Sequence, residues 1–346
     1  MGKFPNVSLA DARKAHQDAK SLLVQGVNPM EERRERKKFS LVEQPLFSDV
    51  ALAWWKKEKS GWSGSTAKKL KGYIDKELKR LSKLTLDEVD YGIISKIMIA
   101  IEAAGNPKKA PPVLSVVRRI FAYAQAKNLI NQNPTTGMKL GDLLGPMPKV
   151  VHRAAITDID QLRNLIQDID MNEQGEYCSR VALKLAPRLL LRPGEVRSLR
   201  WDYINFKAKR INLPEDVMKM DRSFIVPMSS QVIELLTELK KITGYSEFIF
   251  PSKRTNGNHL SKNVLTNRLR ALGYSADIMS AHGFRSTSST ILVEELDWDP
   301  DIVDTQLAHL IGTDTRRAYI RVKYLKPRTR MMQEWSDYLE KLKEVK

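Results

Sequence analysis

Cysteine is nearly absent from this chain. Cys178 is the only one among 346 residues. That excludes an internal disulfide and a thiolate zinc site, and it fits a reducing compartment. Long apolar runs are missing too. No stretch of about 18 apolar residues occurs, so no membrane span is expected. The opening MGKFPNVSLA lacks the apolar centre of a signal peptide, and Asn6 stands where a myristoylation signal wants Ser or Thr. Acidic residues are outnumbered. Lys and Arg total 58 against 41 Asp and Glu, for a formal charge of +17 and a pI of about 9.7. Such a chain is expected to meet a polyanion, the bland alternative being a merely basic globular protein. No helix pairs a basic face with bulky apolar anchors, which weighs against a membrane-surface role. Histidine is scarce, with five copies. No carboxylate or thiol stands at ligand spacing near His282 or His309, so neither a metal nor a cofactor is expected.

What is present divides into segments. Residues 8–25 read as an amphipathic helix, with Ser8 and Asp11 at capping-box spacing and Gly26 and Pro29 as stops. EERRERKK (31–38) is a solvated connection. Residues 45–145 look all-helical. Ser48 is a candidate cap for DVALAWWKKEK, and Ser65 for the lysine-rich TAKKLKGYIDKELKRLSK. A third helix is expected through LDEVDYGIISKIMIAIEAAG, ending at Gly105. A fourth, PVLSVVRRIFAYAQAKNLI, places Val113, Val117, Ile120, Phe121 and Ala124 on one face. The result is a small helical bundle with a basic side suited to a DNA backbone. Residues 141–156 hold Gly and Pro without a clear period and read as an interdomain linker.

Beyond the linker, Thr157 is expected to cap DIDQLRNLIQDID. An apolar helix over 177–191 carries Pro187 as an expected kink. RINLP, EDVMKM and SFIVPM read as three short strands joined by tight turns. Helices resume at SQVIELLTELKKITG and run to the C-terminus. The fold class expected is mainly α: a helical bundle, then a mixed α/β unit, mostly helical with a small three-stranded antiparallel sheet. The segments are 1–40, 41–145 and 146–346.

Several polar residues of the last segment suit one phosphodiester. Arg192 ends LLLR. Lys219 sits in VMKMDR. His282 and Arg285 open HGFRSTSST, three residues apart and on one helix face. His309 lies in QLAHLIG, and Tyr319 follows in RRAYIR. Two guanidinia can bind both non-bridging oxygens of a phosphate and offset the extra charge of a pentacoordinate transition state. A tyrosine hydroxyl can attack phosphorus, but its ordinary pKa of roughly 10 calls for cations and an imidazole nearby. A mobile lysine can protonate the leaving 5′ oxygen. Each residue also has a bland reading. Arg192 could pair with Glu195 at a helix end, Lys219 could be a surface lysine, the histidines could be structural, and Tyr319 could be half-buried core. Ser286 is a candidate backbone contact, whereas Thr287 to Thr290 are expected to turn inward or cap.

The order Arg…Lys…His-x-x-Arg…His…Tyr, from 192 to 319, resembles the catalytic set of the tyrosine recombinases, the phage-integrase family. RPGEVRSLRW, MKM…VPMS, SEFIFPS, LRALGY, HGFRSTSSTIL, QLAHLIGTDTRRAYIRVKYL and MMQEWSDYL are similar to its satellite-phage and genomic-island branch, in that branch's order. The resemblance covers nearly the whole chain. It implies a remnant of an arm-binding domain and connector (1–40), a core-DNA-binding domain (41–145) and a catalytic domain (146–346). It implies that Arg192 and Arg285 clamp the scissile phosphate, Lys219 is the general acid, His282 assists proton transfer, His309 hydrogen-bonds the phosphate and Tyr319 is the nucleophile. Tyr324 is a decoy on another helix face. The implied activity is cutting and rejoining DNA through a 3′-phosphotyrosine without metal or nucleotide. The implied partners are double-stranded core sites, a homo-tetramer on DNA, and a DNA-bending protein and excisionase. The location would be the cytoplasm, at the nucleoid. Because GKFPNVSLADARKAHQDAKSLLVQGVNP resembles only the end of the branch's β-rich arm-binding domain, most of that domain is expected to be missing. The rival reading is a truncated integrase acting only as a DNA-binding protein or repressor.

Overall fold

The computed structural model describes residues 9–24, 26, 28–31, 45–149, 153–218, 222–252, 258–308 and 324–344. They fall into two units, Met1–Val150 and Val151–Lys346, each with its own apolar core.

In the first unit, α1 spans Leu9–Val24 and stops at Gly26, whose N–H donates to the Leu23 carbonyl. Ser8, the expected cap, lies outside the described residues. Helix α2 spans Phe47–Glu58, so Ser48 is inside it and not its cap. Phe47 is buried against Phe121, with ring centroids 5.8 Å apart, and that burial draws the first turn two residues forward. Helix α3 spans Gly64–Gly72 and is capped by Ser63, not Ser65; the Ser63 hydroxyl accepts the Thr66 N–H at 3.3 Å. The expected long lysine-rich helix does not continue. At Tyr73–Glu77 the backbone widens into a π turn, with the Leu78 N–H donating to the Tyr73 carbonyl at 3.0 Å. The wide turn lets Tyr73 and Leu78 share the buried side, which an α turn would not.

The expected third helix is split. Glu88 reaches back to the Thr85 N–H at 2.7 Å and closes a 3-10 turn over Leu86–Glu88. Asp90 then caps α4, Tyr91–Ala103, accepting the Ile93 N–H at 2.7 Å. Gly105, at φ +76°, takes the left-handed turn after it. Helix α5, Ala110–Ala126, buries Val113, Val117, Ile120, Phe121 and Ala124, the face its spacing predicts.

In the second unit, α6 spans Ile159–Met171. Asp158 caps it, not Thr157, by accepting the Gln161 N–H at 2.9 Å. Helix α7 spans Tyr177–Leu189 and contains Pro187; the short α8 covers Pro193–Arg197. The sheet is antiparallel and three-stranded, in the order β1 (Ile204–Asn205), β2 (Arg210–Leu213), β3 (Phe224–Pro227). Of the expected strand EDVMKM, the described residues Glu215–Met218 are not in the sheet, and Lys219 and Met220 lie outside the described residues. Glu215–Val217 form a 3-10 turn after Pro214. The missing strand comes earlier. The Asn205 side chain accepts the Ala208 N–H at 2.8 Å, and the turn it makes sets Ile204 opposite Ile211. Helices α9 (Ser230–Thr243), α10 (Val264–Ala271), α11 (Gly283–Glu294), α12 (Pro300–Gln306) and α13 (Leu325–Glu344) complete the described elements.

Helix α7 is the centre. Helices α6, α8, α9, α10, α11 and α13 all pack on it. Its last carbonyls have no helical partner, and side chains from elsewhere serve them. Trp335 of α13 donates Nε1–H to the Pro187 carbonyl at 2.8 Å. Gln306 of α12 approaches the Leu189 carbonyl at 3.5 Å, and Arg285 of α11 donates to the Leu190 carbonyl. The far end of α13 is tied by charge. Lys343 pairs with Asp170 at 2.6 Å, and buried Arg188 pairs with Glu340 at 2.7 Å. Trp335 is fully buried. Trp335→Ala is expected to destabilise this unit by about 3–5 kcal/mol, read from urea unfolding followed by circular dichroism.

Candidate active site

Three of the six candidate positions, Arg192, His282 and Arg285, fall within the described residues. Lys219, His309 and Tyr319 lie outside them.

Arg192 is placed by the way α7 ends. Leu190 takes a left-handed conformation, φ 55°, and turns the chain so that Arg192 heads α8 with Pro193 at its first position. Glu195, one turn on, accepts the Arg192 backbone N–H at 2.8 Å and its Nη1–H at 2.9 Å. The helix-end ion pair is therefore real. It does not compete with a phosphate role, because one carboxylate fixes the backbone and guanidinium together and leaves Arg192 about one-quarter exposed.

Arg285 is in the first turn of α11, one turn past His282 at the N-cap, and its N–H donates to the His282 carbonyl at 3.2 Å. Its side chain is 5% exposed. Nη1 donates to the Leu190 carbonyl and Nη2 to the Leu307 carbonyl. Burial, then repulsion from Arg192, pushes its pKa down to about 10, while Glu195 opposes the fall. The group stays cationic at neutral pH. The two arginines are thus close enough to repel, with a carboxylate beside them. Such a pair is poised for a dianionic or pentacoordinate phosphorus centre.

The start of α11 is locked from behind. Ser280 donates both its N–H and its hydroxyl to the Ala154 carbonyl, at 3.1 and 3.0 Å. A Cβ on Gly283 would strike that same carbonyl, which explains glycine between His282 and Arg285. Of the hydroxyl run, Ser286 is exposed, Thr287 and Ser288 are buried, and Ser288 donates to the Phe284 carbonyl at 2.8 Å. The inward turn expected of Thr287 to Thr290 holds for Thr287 and Ser288, while Ser289 and Thr290 are half-buried.

Sequence reasoning weighed Glu195 only as a competitor for Arg192. Its place three residues after an arginine and two after a proline was the available signal. The carbonyls of Leu190 and Leu307 carry no side-chain signature. Among the described residues no three His, Cys, Asp or Glu gather as a metal site would require. In the first unit, Arg119 lies over Trp54 and Trp62, 5.1 and 5.3 Å from the ring centroids, and pairs with Glu58 at 2.7 Å. Lys57 and Lys59 rest over Tyr123 and Trp55. The basic side expected there is partly laid on aromatic rings.

The chain is similar to known proteins over nearly its whole length. Residues 156–326 match the Phage integrase family, residues 47–140 the Phage integrase central domain, and residues 1–36 an Arm DNA-binding domain. The prophage integrase IntZ of Escherichia coli K12 is 30% identical over 99% of this chain and 83% of its own length. The integrase of Shigella phage Sf6 is 28% identical over 98% of this chain and 86% of its own. A lambda integrase dimer bound to a core site shares the fold, with a TM-score of 0.63 and 18% identity over 91% of this chain and 87% of that one. A lambda integrase tetramer bound to a Holliday junction gives 0.64 and 18%, over 87% and 88%. The chain belongs to the phage integrase family, and it is a tyrosine-type site-specific recombinase. One expectation is corrected. The N-terminal domain is represented over residues 1–36, not mostly missing. The matched stretch contains α1. Among the described residues no helix is long and apolar enough to cross a membrane.

Glu195→Gln keeps the shape of the carboxylate and removes its charge. It is expected to slow covalent adduct formation on nicked core-site DNA by about tenfold, about 1.4 kcal/mol of barrier. DNA affinity should not fall, because a negative charge is lost beside the phosphate.

Proposed function

We propose that the chain cuts and rejoins double-stranded DNA at attachment core sites, integrating and excising a mobile element. The reading is carried by the end of α7, where the Arg192 guanidinium is fixed by Glu195 and the Arg285 guanidinium by the Leu190 carbonyl two residues before Arg192. Arg192 and Arg285 clamp the scissile phosphate. The Tyr319 oxygen forms a bond to phosphorus as the bond to the 5′ oxygen breaks. Lys219 delivers the proton to that leaving oxygen, and His282 helps remove the one on Tyr319. His309 hydrogen-bonds the phosphate. A 5′ hydroxyl then attacks the 3′-phosphotyrosine, and the tyrosine leaves. The arginines supply the positive charge a metal would otherwise bring, so no cofactor is needed.

Residues 1–40 act at arm-type sites, 41–145 grip the core site and 146–346 carry the chemistry. Lambda integrase is described as a dimer on a core site and a tetramer on a Holliday junction. By that likeness, four protomers of this chain assemble on two DNA sites. A DNA-bending protein and an excisionase assist, in the cytoplasm at the nucleoid. The names of the relatives favour an integrase over a DNA-binding protein without cleavage.

The deciding experiment uses a nicked core-site suicide substrate. Wild-type protein should form a covalent protein–DNA adduct, and Tyr319→Phe should form none. An adduct from the Phe variant would move the nucleophile elsewhere. Arg192→Lys or Arg285→Lys should lower the cleavage rate by about 10²–10³, since one planar donor set is lost. Cleavage should persist in excess EDTA, read as an undiminished adduct yield.

A further inference from the structure

A buried polar pair flanks the stretch that carries His309 and Tyr319. Gln306 ends α12 and is 1% exposed; Arg328 lies in the first turn of α13 and is 6% exposed. They are 22 residues apart, yet Arg328 Nε–H donates to Gln306 Oε1 at 2.8 Å. Arg328 also donates to the Ile225 carbonyl of β3, and its guanidinium lies 4.7 Å from the centroid of the Phe224 ring. Burial pushes its pKa down to about 10. On the other side, Gln306 approaches the Leu189 carbonyl, and the next residue, Leu307, gives its carbonyl to Arg285. One continuous set of contacts therefore runs from a phosphate-clamping arginine to both ends of the tyrosine-bearing stretch.

A buried guanidinium is a poor choice for stability alone. Apolar residues of similar volume often do as well or better, whereas losing one partner leaves the other stranded. What such a pair supplies is a fixed geometry. We propose that Gln306 and Arg328 are positioning residues for strand cleavage. They pin residues 307 and 324 onward to the end of α7 and to β3, and so set the reach of Tyr319 relative to Arg192 and Arg285. The inference rests on Tyr319 being the nucleophile.

The test is single-turnover adduct formation on the nicked core site. Gln306→Leu, close in volume, should lower the rate constant by about 10²-fold, the loss that a misplacement of roughly 1 Å produces. Core-site affinity should hold; the melting temperature should fall, because the buried Arg328 Nε–H loses its acceptor, so the rate constant is read at a temperature where the variant is fully folded. Gln306→Glu restores a partner for Arg328 and should recover most of the rate. Arg328→Met should be slow, and combining it with Gln306→Leu should add little, because the two act as one unit. A merely structural role would lower the fraction of protein that reacts and leave the rate constant alone. That result, or wild-type rates in Gln306→Leu, overturns the inference. An adduct from Tyr319→Phe would overturn the nucleophile assignment instead, so the two failures are distinguishable.

Discussion

The second unit depends on how one buried helix stops. Helix α7 is surrounded by six others, so its terminal carbonyls cannot turn to water. Each must be met by protein or remain a desolvated acceptor costing about 1–3 kcal/mol. Trp335, Gln306 and Arg285 meet them from three different helices. Satisfying one helix end thus fixes α11, α12 and α13 in a single register. The same turn, through left-handed Leu190, delivers Arg192 two residues later. A requirement of backbone chemistry is thereby converted into the placement of Arg192 and Arg285.

The electrostatics follow from that arrangement. Arg285 is bound by two carbonyls, which offset part of its burial without neutralising it. Arg192 is bound by a full carboxylate, but from one side. The cluster holds two cations and one anion, so a net positive charge remains in a partly desolvated place, where an incoming phosphate gains more than it would in water. Because the donors are already oriented, little reorganisation is needed when charge builds on phosphorus.

Much of this was legible in the sequence, for reasons that differ by element. The apolar spacing of α5 is written in side chains and reads correctly; Arg192 and Arg285 are visible as residues, and the fold brings both to the end of α7. Caps read less well. Ser48, Ser65 and Thr157 each have the right chemistry one or two residues from the true cap, because tertiary burial of residues such as Phe47 decides where a turn begins. The π turn at Tyr73 and the strand at Ile204 depend on which residues must face the core, a property local propensity does not carry. The expected strand EDVMKM follows Pro214, and its first three residues, Glu215–Val217, curl into a 3-10 turn. Glu195 was visible as a partner, though not as a part of the site. Gln306 and Arg328 are ordinary polar residues in the sequence, 22 positions apart, and only the fold makes them neighbours.

The sheet also has an edge that the chain must keep from pairing with strands of other chains. Strand β3 is an outer strand, paired only with β2 among the described residues. An open edge is a template on which another chain can add a strand. Here α13 packs along β3, and Arg328 occupies the Ile225 carbonyl while covering Phe224. The C-terminal helix therefore acts as a guard against edge-to-edge aggregation. Truncation of the chain before Leu325 would expose that edge and its apolar flank together, favouring insoluble protein over a merely inactive one.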